Sequence, residues 1–192
     1  MRIGTFSMEM QSKQIVTATV NAQGTQGEIL DNVAAGITGA TIVKASSDVI
    51  INTSSNVAEL QEGGRRIAAP NYVTGLNLSI NNNLRNDDAV GYETAVNIGG
   101  GTFQLTGTLN TYFGSKTMVE KVINNSKTAL LIDLKDNEGQ RMIWDMPLVK
   151  YSSGSPAVSG KNAADTADLG FTALGHPEYG FTLGLAKFRY ME

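Results

Sequence analysis

Alternation of apolar and polar residues with a period of two constrains this chain more than any other feature. Phe6, Met8 and Met10 are interleaved with Ser7 and Glu9, and Val16, Ala18, Val20 and Ala22 with Thr17, Thr19 and Asn21. Successive side chains of a strand point to opposite faces, so each run describes a strand with one buried side and one wet side. The short Gln11–Gln14 turn joins the two runs as a hairpin. Further on, Leu76, Leu78 and Ile80 alternate with Asn77, Ser79 and Asn81, and Phe103, Leu105, Gly107 and Leu109 with Gln104, Thr106, Thr108 and Asn110. Ala129–Leu134 and Arg141–Tyr151 flank an Asp136-Asn137-Glu138-Gly139 turn as a second hairpin. Pro147 places the returning strand at an edge or at a bulge. A flexible Ser152–Asp165 segment follows, then a strand through Ala167, Leu169, Phe171 and Ala173, and a closing one within Phe181–Tyr190.

Between Ala22 and Pro70 the chain is rich in Gly, Ser, Asn and Thr, with strands expected at Asp48–Thr53 and Ala40–Ala45. The helical period appears at Ser115–Asn125, where Met118, Val119, Val122 and Ile123 form one stripe. The expected fold class is mainly β: an antiparallel β-barrel or sandwich with one flanking α-helix and long loops, as a single domain over residues 1–192. The sequence also repeats itself. Val16–Ala22 lines up with Leu105–Thr111, and Phe6–Met10 with Leu76–Ile80, so two related hairpin units are expected at about 4–24 and 75–113.

Composition removes most chemistry. The 192 residues include no Cys and one His, His176, which excludes thiolate metal sites, disulfides, a cysteine nucleophile and any site needing two imidazoles. His176 lies in a Gly-His-Pro turn, a context more typical of a loop bend, so a His-based triad has no support in the sequence. The carboxylate pairs Asp87 with Asp88 and Asp133 with Asp136 sit in loop or turn sequence, where solvated roles are expected. Gly99-Gly100-Gly101 lacks the Lys-Ser or Lys-Thr of a phosphate loop, so flexibility is its expected role. The Asp133–Glu138 stretch lacks the spacing of a calcium loop. Apolar runs are too short for a membrane helix or a signal peptide, so a soluble protein made in the cytosol is expected. A net charge of -3 without a basic block disfavours tight binding to nucleic acid. The reading is therefore of no enzyme, no cofactor and no metal.

An ordered set of pieces then carries a resemblance. Gly75-Leu-Asn-Leu-Ser-Ile-Asn-Asn-Asn-Leu-Arg85 is followed by Val96-Asn-Ile-Gly-Gly-Gly-Thr-Phe-Gln-Leu-Thr-Gly-Thr-Leu-Asn-Thr-Tyr-Phe113 and by the Met118–Asn125 helix. Met146-Pro-Leu-Val-Lys150 and Leu169-Gly-Phe-Thr-Ala-Leu174 continue the series. In this order the chain resembles the tail tube proteins of long-tailed bacteriophages, best over Tyr72–Phe188, with Gly4–Gly24 similar to the family's earlier hairpin. Many members are longer at the amino end, so the chain reads as a compact form.

The resemblance implies a structural virion protein, six copies forming a ring and the rings stacking into a tube that conducts DNA. It implies tail terminator, tape measure and baseplate proteins as partners, synthesis in the host bacterial cytoplasm, and residence in the virion tail without membrane insertion. In such a ring the wet side of the two hairpins would line the lumen: Ser7, Glu9, Thr17, Thr19 and Asn21 from the first unit, and Asn77, Ser79, Asn81, Gln104, Thr106, Thr108 and Asn110 from the second. The set holds one acid and no Lys or Arg, so it offers DNA phosphates no counterion-releasing partner. The long polar connections Asn82–Gly101 and Asn52–Asn71 would reach the next ring, with Arg65, Arg66 and Arg85 meeting Asp87, Asp88 or Glu93 of another subunit. Other readings stay open: a tail-end, baseplate or injection-system ring protein, a monomeric β-sandwich binding module, or, last, an enzyme.

Overall fold

The computed structural model describes residues 1–25, 50–157, 160–161 and 163–189. In chain order they form β1 (Arg2–Gln11), β2 (Thr17–Gln23), β3 (Val57–Glu62), β4 (Arg65–Arg66), β5 (Val73–Asn81), β6 (Arg85–Asp87), β7 (Asn97–Gly99), β8 (Gln104–Tyr112), α1 (Thr117–Ile123), β9 (Lys127–Lys135), β10 (Arg141–Ala157), β11 (Thr166–Ala173) and β12 (Gly184–Phe188). Ten strands make one sheet in the order β2-β1-β5-β8-β11-β10-β9-β3-β4, with β12 also paired to β10; β6 and β7 form a separate two-stranded ribbon. The mainly β, antiparallel fold, with one helix among the described residues, is the expected class.

The long strand β10 gives the sheet its shape. Its first part, Arg141–Met146, pairs with β9, and Arg141–Asp145 also pairs with β12; Val149–Ala157 pairs with β11. Register shifts fall between Met146 and Val149 and between Tyr151 and Ser153. Bulges of this kind bend a strand, and Pro147, which has no N–H for the ladder, sits inside the first, as its position in the sequence leads one to expect. The sheet therefore folds over itself. Phe6 of β1 stacks on Trp144 of β10 with ring centroids 5.6 Å apart. One core gathers Met8, Leu78, Leu109, Phe171, Ile132 and Met146 from both halves, and Met118 of α1 joins it. Each such side chain contributes roughly 1.5–3 kcal/mol by burial. Among the described residues strands β2 and β4 end the sheet without meeting, so these form a sandwich and no closed barrel.

Within the sheet the two hairpins share one register. Phe6 faces Val20 and Met8 faces Ala18 in the first; Leu76 faces Leu109 and Leu78 faces Gly107 in the second. These are the positions that the sequence repeat aligns. The hairpins meet through antiparallel β1 and β5, with Met8 opposite Leu78. A local two-fold axis at that pair carries Phe6 onto Leu76 and Met10 onto Ile80.

Several expectations need correction. Around Asp48–Thr53 the described residues make an isolated bridge, Ile15 with Asn52, and no strand. Ala40–Ala45 lies outside the described residues. Asn52–Asn71 is no free loop: it holds β3, which pairs with β9 inside the main sheet, and β4. Ser152–Ala157 continues β10 and does not open a flexible segment; its small residues let α1 approach, since a Cβ at Gly154 would lie 2.7 Å from Val122 Cγ2. Of the helical stripe, Met118 is buried but Ile123 is 75% exposed. Gly101 is set by close approach and not by flexibility, because a Cβ there would lie 2.3 Å from the Asn83 carbonyl oxygen. Gly99 belongs to β7.

Candidate functional site

Opposite the core, β2, β1, β5 and β8 present a continuous polar surface whose residues meet in transverse rows. One row runs Thr19, Ser7, Ser79, Thr106 and, in β11, Thr172, a hydroxyl at each of five strands. The next runs Thr17, Glu9, Asn77, Thr108 and Gly170, and a third Asn21, Thr5, Asn81 and Gln104. Asn110 completes the set beside Asp168. All twelve residues expected on this face thus lie on it, each exposed or half-buried. The alternation in the sequence forces this placement, because their neighbours Met8, Leu78, Leu105 and Leu109 fill the core.

Polar side chains on this face partly satisfy one another. Asn21 Nδ2 donates to Thr5 Oγ1 at 2.9 Å, and Asn110 Nδ2 to Asp168 Oδ1 at 2.6 Å. The surface is dished: Ser7, Asn77, Ser79, Thr106, Thr108 and Thr172 border an open depression of about 440 Å3. Beneath it Gly107 faces inward, and a Cβ there would lie 2.4 Å from Phe171 Cζ, so the missing side chain lets the aromatic ring pack flat under the polar layer. Sequence reasoning missed Thr5, Asp168, Gly170 and Thr172. The alternation of Ala167, Leu169, Phe171 and Ala173 already carries the signal for the last three. Asp168 adds a second carboxylate to Glu9. Cations enter at the margins, Arg2 opposite Gln23 at the strand end and Lys150 opposite Thr172.

The charged residues expected to bridge subunits occupy two other places. Arg85 and Asp87 lie on the β6–β7 ribbon and pair with each other, Arg85 Nε to Asp87 Oδ1 at 3.1 Å. Asn97 Nδ2 also donates to Asp87 at 2.9 Å, and these two partners, Asn97 first, hold the Asp87 carboxyl below its ordinary pKa. Asp88 and Glu93 stand on the exposed turn between the ribbon strands. Arg65 and Arg66 form β4, exposed beside α1.

Charges inside the protein have structural partners. Lys121 of α1 donates to Glu62 of β3, whose side chain is 7% exposed. Burial, with the Glu62 charge second, raises the Tyr151 phenol well above its ordinary pKa. Arg141 Nη1 binds Asp133 at 2.8 Å, and Asp136 Oδ1 accepts the Glu138 and Gln140 N–H groups of its turn. His176 Nδ1 accepts the N–H groups of Glu178 and Tyr179, both at 3.2 Å, and the ring stacks on Tyr179. Among the described residues no group of three or more His, Asp or Glu could hold a metal ion, and no helix is long and apolar enough to cross a membrane.

A hydroxyl and amide surface backed by a rigid core is suited to contact without adhesion. Among known families, the family model described as phage tail tube protein matches residues 1–173. No curated protein matches the chain. A family match that runs from the first hairpin through the end of β11 leaves little of the fold outside it, and the chain belongs to the phage tail tube proteins, structural proteins of the virion tail that assemble with copies of themselves into a tube.

Proposed function

We propose that six copies of this protein close into a ring, that rings stack into the tail tube, and that the polar face of β2, β1, β5 and β8 lines the channel through which DNA leaves. The observation that carries this reading is the composition of the face: hydroxyls, amides and carboxylates in register across adjoining strands, with no Lys or Arg at the twelve positions. Duplex DNA binds proteins mainly by releasing counterions to Lys and Arg, so such a wall lets phosphates pass without holding them.

Two edges that pair with no further strand among the described residues support lateral assembly. All seven residues of β2 are exposed, including Val20, which lies on the core side opposite Phe6 yet is 53% exposed. On the other half of the sandwich, Leu185 of β12 lies opposite Trp144 and is 59% exposed. Unpaired edges with apolar shoulders are a hazard in a monomer and a joint in a ring. The sixfold count follows the resemblance to tail tube proteins. Two hairpins related by a local two-fold axis fit a duplicated unit, so a ring of six would present twelve hairpins to its channel. Arg65, Arg66 and Arg85 with Asp87, Asp88 and Glu93 are proposed to act between stacked rings, and terminator, tape measure and baseplate proteins to meet the tube's ends. Synthesis takes place in the host cytoplasm. Negative-stain microscopy of the purified protein tests the reading. Rings or tubes with a central hole are expected; a monomer at high concentration would contradict it.

A further inference from the structure

Resting on the reading of this protein as a stacking subunit, we infer that the tip of the β6–β7 ribbon is a plug that seats in a socket between β4 and α1 of another copy. The ribbon is held rigid by its own bonds: Val96 N–H donates to the Asp87 carbonyl at 2.9 Å, and Arg85 and Asn97 both engage the Asp87 side chain. Its turn closes with Tyr92 N–H on the Ala89 carbonyl and Gly91 at a φ of +88°. This ordered turn presents Val90, fully exposed, and Tyr92, 69% exposed, flanked by Asp88 and Glu93. Neither carboxylate has an ion-pair partner among the described residues, in contrast to Asp87.

The socket is a cavity of about 430 Å3 between the β3–β4 hairpin, the segment that follows it, and α1. Ile67, Ala68, Ala69 and Met118 give it apolar lining, and Arg65 and Arg66 stand on it exposed, without ion-pair partners among the described residues. Lys121 also borders it but is neutralised by Glu62. Two free cations and an apolar lining therefore match two free anions and an apolar tip. Tyr and Arg are the residue types that dominate interface energetics when such pockets are filled. Within one protomer these charges do not meet, so the complement comes from a second copy. The pairing also fixes a direction, because plug and socket are different surfaces, and between stacked rings such a head-to-tail contact repeats along the tube.

The absence of native cysteine makes the test clean. In assembled tubes of a Val90→Cys/Ala68→Cys double variant, mild oxidation should give a ladder of disulfide-linked chains, whereas Glu138→Cys/Ala68→Cys should give none. R65E/R66E and D88R/E93R should each raise the protein concentration needed for tube growth at least tenfold, and the four substitutions together should restore it. Trp144 fluorescence shows that each variant is folded. Tubes that grow normally with reversed charges, or a Val90→Cys/Ala68→Cys variant whose tubes yield no cross-linked chains, would overturn this inference alone. A wild-type protein that never forms rings or tubes would overturn the reading on which it rests as well.

Discussion

With the polar face lining the channel as proposed, two lysines on it should convert a wall that releases DNA into one that holds it. Thr106 lies between Ser79 and Thr172, and Thr108 between Asn77 and Gly170, both half-buried on the side away from the core. Neither hydroxyl makes a hydrogen bond to another described residue, so T106K/T108K breaks no hydrogen bond among them. A lysine there would lay its methylenes along the neighbouring Ser, Asn and Thr residues and carry its ammonium away from the core, into the proposed channel. Each phosphate neutralised adds about -0.9 to the slope of log affinity against log salt. For two phosphates per subunit, raising salt from about 50 to about 200 mM should weaken the new interaction about 12-fold for every subunit engaged. Around a ring these factors compound. The assay is plaque titre of phage carrying the variant, with tube length checked by electron microscopy and DNA ejection followed at several salt concentrations. Titre should fall at least about tenfold and recover partly with salt, as counterion release requires. T106S/T108S should behave as wild type. Full-length T106K/T108K tubes with undiminished titre would refute placement of this face in the channel.

Three further outcomes follow from the packing. Gly107→Ala drives a Cβ to 2.3 Å from the Asn77 carbonyl oxygen and 2.4 Å from Phe171 Cζ. Overpacking of this kind should cost about 2–3 kcal/mol, a fall in Tm of about 5–10 °C read from Trp144 fluorescence, and an unchanged Tm would show that the ring does not sit there. Lys121→Met strands the buried Glu62 carboxylate and should lower stability in urea by about 3 kcal/mol, with Glu62→Gln added in the same chain recovering most of it; equal stability of the single variant would contradict a buried pair. The raised pKa of Tyr151 means that the folded chain keeps this proton after the unfolded chain has lost it. Stability should therefore hold below about pH 10 and decline as pH rises above it, and Tyr151→Phe should flatten that decline.

How much of this was legible in the sequence depended on what each strand packs against. Strands with one buried face announced themselves, and the parity of Met8, Leu78 and Leu109 placed all twelve polar residues on the opposite side. The same parity gave β2 an apolar face, yet no sequence pattern tells that β2 ends the sheet and leaves Val20 uncovered. Strand β3 was hidden because a charged residue, Glu62, occupies a buried position that only the later Lys121 makes tolerable. The end of β10 was hidden because Ser152–Ala157 has no large apolar residue, the space above Gly154 being filled by Val122 and Leu169. Gly101 read as slack, although its backbone lies against Asn83. Asp168 and Thr172 obey the same parity one strand past β8, opposite Asn110 and Thr106.

The most direct measurement is a cryo-electron microscopy reconstruction of the assembled tube at a resolution that traces strands. Thr19, Ser7, Ser79 and Thr106 should form a row facing the central channel in every subunit. A tube in which this row faces the outer surface, or is buried against a neighbouring subunit, would contradict it.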